Sequence, residues 1–202
     1  MFYRKDHGYI FVHNPKTAGR SIRSMLNYDK PQLQCPVSHV PLYAIDDHED
    51  YYSFGFVRNP WDRLVSYYMY LCQRKDKGQD NYDREEVKRI GFNKWLTKSR
   101  MLLFGDDHPD VCIDNTIRLP SFQMRSQMWW LEVCDFIGQY ENLQEDLKQA
   151  AYWGGFKLPV SMPLLNMSLH KNYTEYYNQS SINYVKVYCE EEIDRFGYRF
   201  QH

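Results

Sequence analysis

Two apolar runs, each closed by an asparagine–proline pair, organise the first third of the chain. "YIFVH" (9–13) runs into Asn14-Pro15, and "YYSFGFV" (51–57) runs through Arg58 into Asn59-Pro60. Short, continuous and rich in β-branched and aromatic residues, both read as buried strands. Each opens onto a helical pattern. A helix is expected from about Thr17 to Leu26. A longer one follows in "RNPWDRLVSYYMYLCQRK", with Asn59 as N-cap, Pro60 at the first helical position and Asp62 three residues past the cap. Leu64, Val65, Tyr68, Met69 and Cys72 make its apolar face.

Farther on, Val87, Ile90, Phe92, Trp95 and Leu96 predict one amphipathic helix from about Glu85 to Ser99. The stretch 105–120, broken by Gly105, Pro109 and Pro120, reads as a long excursion of the kind that often forms a lid or binding loop. "VCDFIGQY" (133–140) is a third strand, followed by a helix with Asn142 and Glu145 at capping positions. A last helix spans about Ser181 to Arg195 and stops at Gly197. Strands alternating with helices predict an α/β sandwich, P-loop-like, with a central and mostly parallel sheet flanked by helices. The length of 202 residues suits a single domain over 1–202.

Composition narrows the partners. A net charge of −1 is wrong for a general nucleic-acid or anionic-membrane binder, so any anion site must be local. No apolar run is long enough to span a membrane, and "MFYRKDHGY" has no signal-peptide core, which gives a cytoplasmic expectation. Five scattered cysteines (Cys35, Cys72, Cys112, Cys134, Cys189) lack paired metal spacing and read as reduced thiols. Aromatic residues make up 17% of the chain, more simply a ring-rich core than a ligand cleft.

The chemistry concentrates in "FVHNPKTAGRSI" (11–22). It resembles a nucleotide phosphate loop, yet Lys16 precedes Gly19 instead of following it. A strand–loop–helix of this kind offers backbone N–H groups to an anion. Lys16, the hydroxyls of Thr17 and Ser21, and the small Ala18 and Gly19 suit a tetrahedral oxyanion close to the backbone. A second arrangement follows the second strand, where Arg58 stands before the capped helix that carries Ser66. Two loops of this sort suit a ligand with two separated anionic groups, bound at adjacent strand C-termini.

On these residues the chain resembles the sulfotransferases that use 3′-phosphoadenosine 5′-phosphosulfate (PAPS). The likeness is greatest to the carbohydrate sulfotransferase group that includes the heparan sulfate uronyl 2-O-sulfotransferases. "FVHNPKTAGRSI" is similar to their 5′-phosphosulfate loop and "FGFVRNPWDRLVSYY" to their 3′-phosphate motif. The likeness extends to "CDFIGQYENLQEDL", "LLNMSLHKNYTEYY" and "EEEIDRFGYRF". It implies that Lys16, Thr17, Ala18, Gly19 and Ser21 hold the 5′-phosphosulfate and that Arg58 and Ser66 hold the 3′-phosphate. Arg20 stands where the family often has Thr, and either grips the sulfonate or points outward. Lys171, with Ser168 and His170, falls in a late loop that closes over the cofactor in relatives.

Sulfuryl transfer to an alcohol needs a base, and histidine suits neutral pH. His39, in "CPVSHVPLYAI", lies between the two loops in a segment similar to the histidine-bearing stretch of the 2-O-sulfotransferases, which makes it the expected catalytic base. His13, beside the first loop, is the alternative. Lys16 is expected to act in catalysis as well, on charge developing at the phosphate–sulfate bridge. The implied partner is an acceptor glycan or a small hydroxylated molecule, with no nucleic acid, no membrane span and no metal required. A kinase using ATP, or a non-catalytic module of the same fold, would present similar loops. The absent Walker pattern and missing magnesium aspartate count against the kinase.

Overall fold

The computed structural model describes residues 2–4, 8–26, 41–45, 47–73, 84–98, 125–159 and 171–201. They belong to two compact units, Met1–Arg58 with Gln127–Met167, and Asn59–Ser126 with Ser168–His202.

The first unit is built on a four-stranded sheet in the order β1 (Phe2–Arg4), β2 (Tyr9–Val12), β3 (Tyr52–Val57) and β4 (Phe136–Gln139). β1 runs antiparallel to β2, while β2, β3 and β4 are parallel to one another, with Phe11 opposite Phe54 and Phe54 opposite Phe136. This is the mostly parallel sheet of the expected α/β fold. The antiparallel β1 was not foreseen, because its three residues carry too short a pattern to read.

Alternation along the strands sends side chains to opposite faces. On one face Phe11, Phe54 and Phe56 meet Ile22 and Met25 of the Gly19–Met25 helix and Leu143, Leu147 and Ala150 of the Leu143–Gly154 helix. On the other, Gly55 admits the short Gln127–Leu131 helix, because a Cβ on Gly55 would lie 2.3 Å from Leu131 Cδ2. Helices therefore cover both faces. Phe54 is fully buried and rings with Phe11 at 5.3 Å and Phe156 at 5.2 Å, so truncating it removes about 3–5 kcal/mol. Where β3 and β4 begin, Asp135 Oδ2 accepts hydrogen bonds from both the N–H and the hydroxyl of Ser53, at 2.7 and 2.8 Å, which fixes how β4 starts against β3.

The second unit is helical. Its leading helix, Pro60–Gln73, is capped as expected: Asn59 Oδ1 accepts the Trp61 N–H at 3.1 Å. The single helix expected over 85–99 is two, Arg84–Ile90 and Phe92–Lys98. They are broken at Gly91, whose φ of +74° ends the first and whose carbonyl accepts the Trp95 N–H of the second. The last helix is also two, Gln179–Tyr188 and Glu190–Phe196, meeting at Cys189. Its true start is Asn178, whose side chain and Ser181 form a reciprocal capping box. Gly197 ends it at φ +67°, as expected. Tyr67 and Tyr68 of the leading helix pack with Trp95, which is buried like the Trp130 of the first unit, so these rings are core. Among the described residues no helix is long and apolar enough to cross a membrane.

Candidate active site

Where the three parallel strands end, each contributes one residue to a common place. After β2 the chain turns through Pro15 into a loop with two left-handed residues, Lys16 at φ 69° and Ala18 at φ 62°. For residues with a Cβ this backbone costs about 1–2 kcal/mol each. Such strain gathers where a site is shaped, and alternating turn conformations of this kind form concave nests of N–H groups for anions. Thr17 Oγ1 donates to the Asn14 carbonyl at 2.8 Å and closes the loop on itself.

Arg58 follows β3. Its Nη1 donates to the carbonyl of Lys16 at 3.1 Å, and its guanidinium carbon lies 4.2 Å from the ring centre of Tyr140, the first residue after β4. A guanidinium held by a carbonyl on one side and an aromatic face on another is fixed in direction. Lys16 feels this neighbour. Burial, then the charge of Arg58, then that of Arg20 bring its ammonium down from 10.5 to about 8. All three causes disfavour the charged form, and an entering anion relieves the last two. The site is therefore poised for a ligand of multiple negative charge.

Two neutral amides hold the strand ends. Gln127, fully buried, accepts the Arg58 N–H at 2.9 Å through Oε1 and donates from Nε2 to the Arg58 carbonyl at 2.8 Å. It thus pairs both backbone groups of Arg58, as a neighbouring strand would. The same Oε1 accepts Asn14 Nδ2 at 3.1 Å, and Asn14 Nδ2 also donates to the Phe56 carbonyl at 2.9 Å. β2 must leave the sheet here to make the loop. The side-chain amides take over its hydrogen bonds, so no buried backbone group of Arg58 is stranded.

With this geometry in view, the comparison with known proteins is direct: the family model for the sulfotransferase family matches residues 1–199. The chain belongs to the sulfotransferase family. It is also 30% identical over 99 residues to an uncharacterized protein of Archaeoglobus fulgidus, a match covering 49% of this chain and 63% of that protein. No solved structure matches it.

The first unit brings together Lys16, Thr17, Ala18, Gly19, Arg20, Ser21 and Arg58. Ser21 is buried on the helix that follows the loop, and Arg20 is exposed at its start, near enough to lower the Lys16 pKa. Thr17 is buried with its hydroxyl proton committed to Asn14, so the loop's own closure accounts for that hydroxyl. His13 is also buried. Its ring lies against Gly19, where a Cβ would come within 1.8 Å of His13 Cδ2. Only glycine fits beside that histidine.

The other expected site residues belong to the second unit or fall outside the described residues. Ser66 is buried in the Pro60–Gln73 helix of the second unit. Lys171, on the surface of that unit, pairs with Glu175 at 3.5 Å. His39, Ser168, His170 and the 105–120 excursion fall outside the described residues. Among the described residues no three His, Cys, Asp or Glu side chains gather as a metal would need. Sequence reading missed Asn14, Gln127 and Tyr140. The one available signal was polarity out of place: Gln127 opens the otherwise apolar run "MWWL".

Proposed function

We propose that this sulfotransferase moves a sulfuryl group from PAPS to an acceptor hydroxyl, and that the acceptor is a carbohydrate. One observation carries the reading. A half-buried lysine in a left-handed loop, its charge opposed by two guanidiniums, stands at the ends of parallel strands. That donor set fits the 5′-phosphosulfate and 3′-phosphate of PAPS better than a single phosphate. The carbohydrate acceptor rests on the resemblance to the uronyl 2-O-sulfotransferases over "CDFIGQYENLQEDL" and "LLNMSLHKNYTEYY".

PAPS supplies the activated sulfuryl group. In the proposed assignment Lys16, Ser21 and the backbone from Thr17 to Gly19 hold its 5′ end. Arg58 and Ser66 hold the 3′-phosphate, Arg20 adds charge from the rim, and Lys171 contributes from the late loop. The acceptor oxygen bonds to sulfur as the bond from sulfur to the phosphate oxygen breaks, and that oxygen leaves with 3′-phosphoadenosine 5′-phosphate (PAP). His39 takes the acceptor's proton. Lys16 holds the charge that grows on the departing oxygen, the kind of preorganised electrostatic support that dominates such steps.

The test is ligand-dependent stability followed by transfer. PAP in hundredfold excess over its Kd adds about 2.7 kcal/mol and should raise Tm by roughly 5–10 °C, while ATP with magnesium should not. Sulfur-labelled PAPS offered with a panel of glycans and phenols should then label glycans. Equal shifts with ATP and PAP favour a kinase, and binding without label on any acceptor favours a non-catalytic module.

A further inference from the structure

Gln127 holds the backbone of a residue proposed to meet the donor, and so sets where that residue begins. Its amide pairs with both the N–H and the carbonyl of Arg58, at 2.9 and 2.8 Å, and with Asn14 at 3.1 Å. Asn14 in turn receives the Thr17 hydroxyl on its carbonyl at 2.8 Å. One fully buried side chain thus ties the residue that opens the Lys16 loop to the backbone of Arg58. β2 and β3 are in register only as far as Val12 and Gly55, so past that point no strand pairing fixes the spacing of the two loops.

We propose that Gln127 is a positioning and specificity-determining residue that sets the separation of the Lys16 loop and Arg58, selecting nucleotides with anions at both ends. The proposal rests on the sulfotransferase reading above. Its physical basis is preorganisation: a ligand that grips two points gains from the second only if their spacing matches its own. A ligand that grips one point gains nothing from the tie. An amide suits this position because it is neutral. A charged residue here would either compensate the cations or repel them, whereas Gln127 satisfies the backbone and leaves their field to the ligand.

The experiment compares three nucleotides on the full chain by calorimetry: PAP with both ends, adenosine 5′-phosphosulfate with the 5′ end, and adenosine 3′-phosphate with the 3′ end. Wild type should bind PAP far more tightly than either one-ended ligand. If it does not, the sulfotransferase reading fails before any variant is compared. Gln127→Met keeps the volume and removes all three hydrogen bonds. It should weaken PAP about 10–100-fold while changing each one-ended ligand by less than about threefold. Uniform weakening of all three, or none, overturns the proposal, since a merely structural role cannot be selective for the number of ends. Should Gln127→Met fail to fold, Asn14→Ala is measured in its place. It cuts the tie on the other side and leaves Gln127 paired with Arg58, and the same selective loss is required.

Discussion

The lysine of the first loop should make donor binding depend on pH in a range where few side chains titrate. Burial and the charges of Arg58 and Arg20 lower its pKa from 10.5 to about 8. An anion bound against it restores the charged form, so the complex holds a proton that the free protein loses above about pH 8. From about pH 7 PAP affinity should then fall as pH rises, by about tenfold between pH 7 and 9, as the free ammonium deprotonates. The phosphates of PAP, with second ionisations near about pH 6, are already charged throughout and add no slope. The measurement is calorimetry in buffers of differing ionisation enthalpy, which counts the proton taken up on binding near pH 9. Lys16→Arg keeps its charge to high pH and should bind without the slope. Stability of the ligand-free chain responds to the same titration, with a definite sign. Above pH 8 the folded chain sheds a proton that the unfolded chain keeps until 10.5, so the ligand-free protein gains stability as pH rises through that window. The gain is at most about 3–4 kcal/mol, from about 1.4 kcal/mol for each pH unit between the folded and unfolded values. A PAP affinity constant from pH 7 to 9 in wild type, with PAP still bound, would refute the reasoning.

Arg58→Ala should weaken PAP much more than adenosine 5′-phosphosulfate. Arg58→Lys should recover little, because an ammonium cannot span the Lys16 carbonyl and the Tyr140 face together; equal loss for both nucleotides removes Arg58 from the 3′-phosphate. His39→Ala should leave PAP affinity intact and lower kcat by about 10²–10⁴, with loss of the limb in kcat/KM that rises through roughly pH 6–7. If that limb survives in His39→Ala and vanishes in His13→Ala, the base is His13. Ala18→Gly relieves a left-handed alanine at φ 62° and should raise Tm slightly, by about 0.5–1 kcal/mol of stability, in thermal melts. Gly19→Ala should cost several kcal/mol or prevent folding, because the new methyl occupies the His13 ring. Recovery in His13→Ala/Gly19→Ala would trace the loss to that contact.

Strands and helices with clean punctuation were legible in the amino-acid order alone. Asn14-Pro15 and Asn59-Pro60 marked where both strands give way, and Asn59 and Gly197 cap where their residue types require. The two long helices expected to be continuous share one cause of error. Their apolar spacing persists across Gly91 and Cys189, and periodicity alone does not register a break that keeps phase. In the candidate site, the charged residues that the structure brings together, Lys16 and Arg58, could be picked out by type and position. Residues that act through amide geometry were not. Asn14 and Gln127 are 113 positions apart, and nothing in either neighbourhood announces that one Oε1 serves both loops. Tyr140 was hidden among many tyrosines, since a ring under a guanidinium leaves no local pattern. Asn172 and Asn178 act locally in the same unannounced way, their side chains accepting the Thr174 and Ser181 N–H groups at helix starts.

The contact between His13 and Gly19 has a consequence for anyone diversifying this loop. A ring that occupies the volume a methyl would need makes the two positions one choice rather than two. A combinatorial library that varies Gly19 while holding His13 will return glycine almost everywhere and will look as though the loop tolerates nothing. Randomising both sites together opens the paired solutions, a small residue at 13 with alanine or serine at 19. These are the routes by which the loop can acquire a new side chain at that position without first losing its fold.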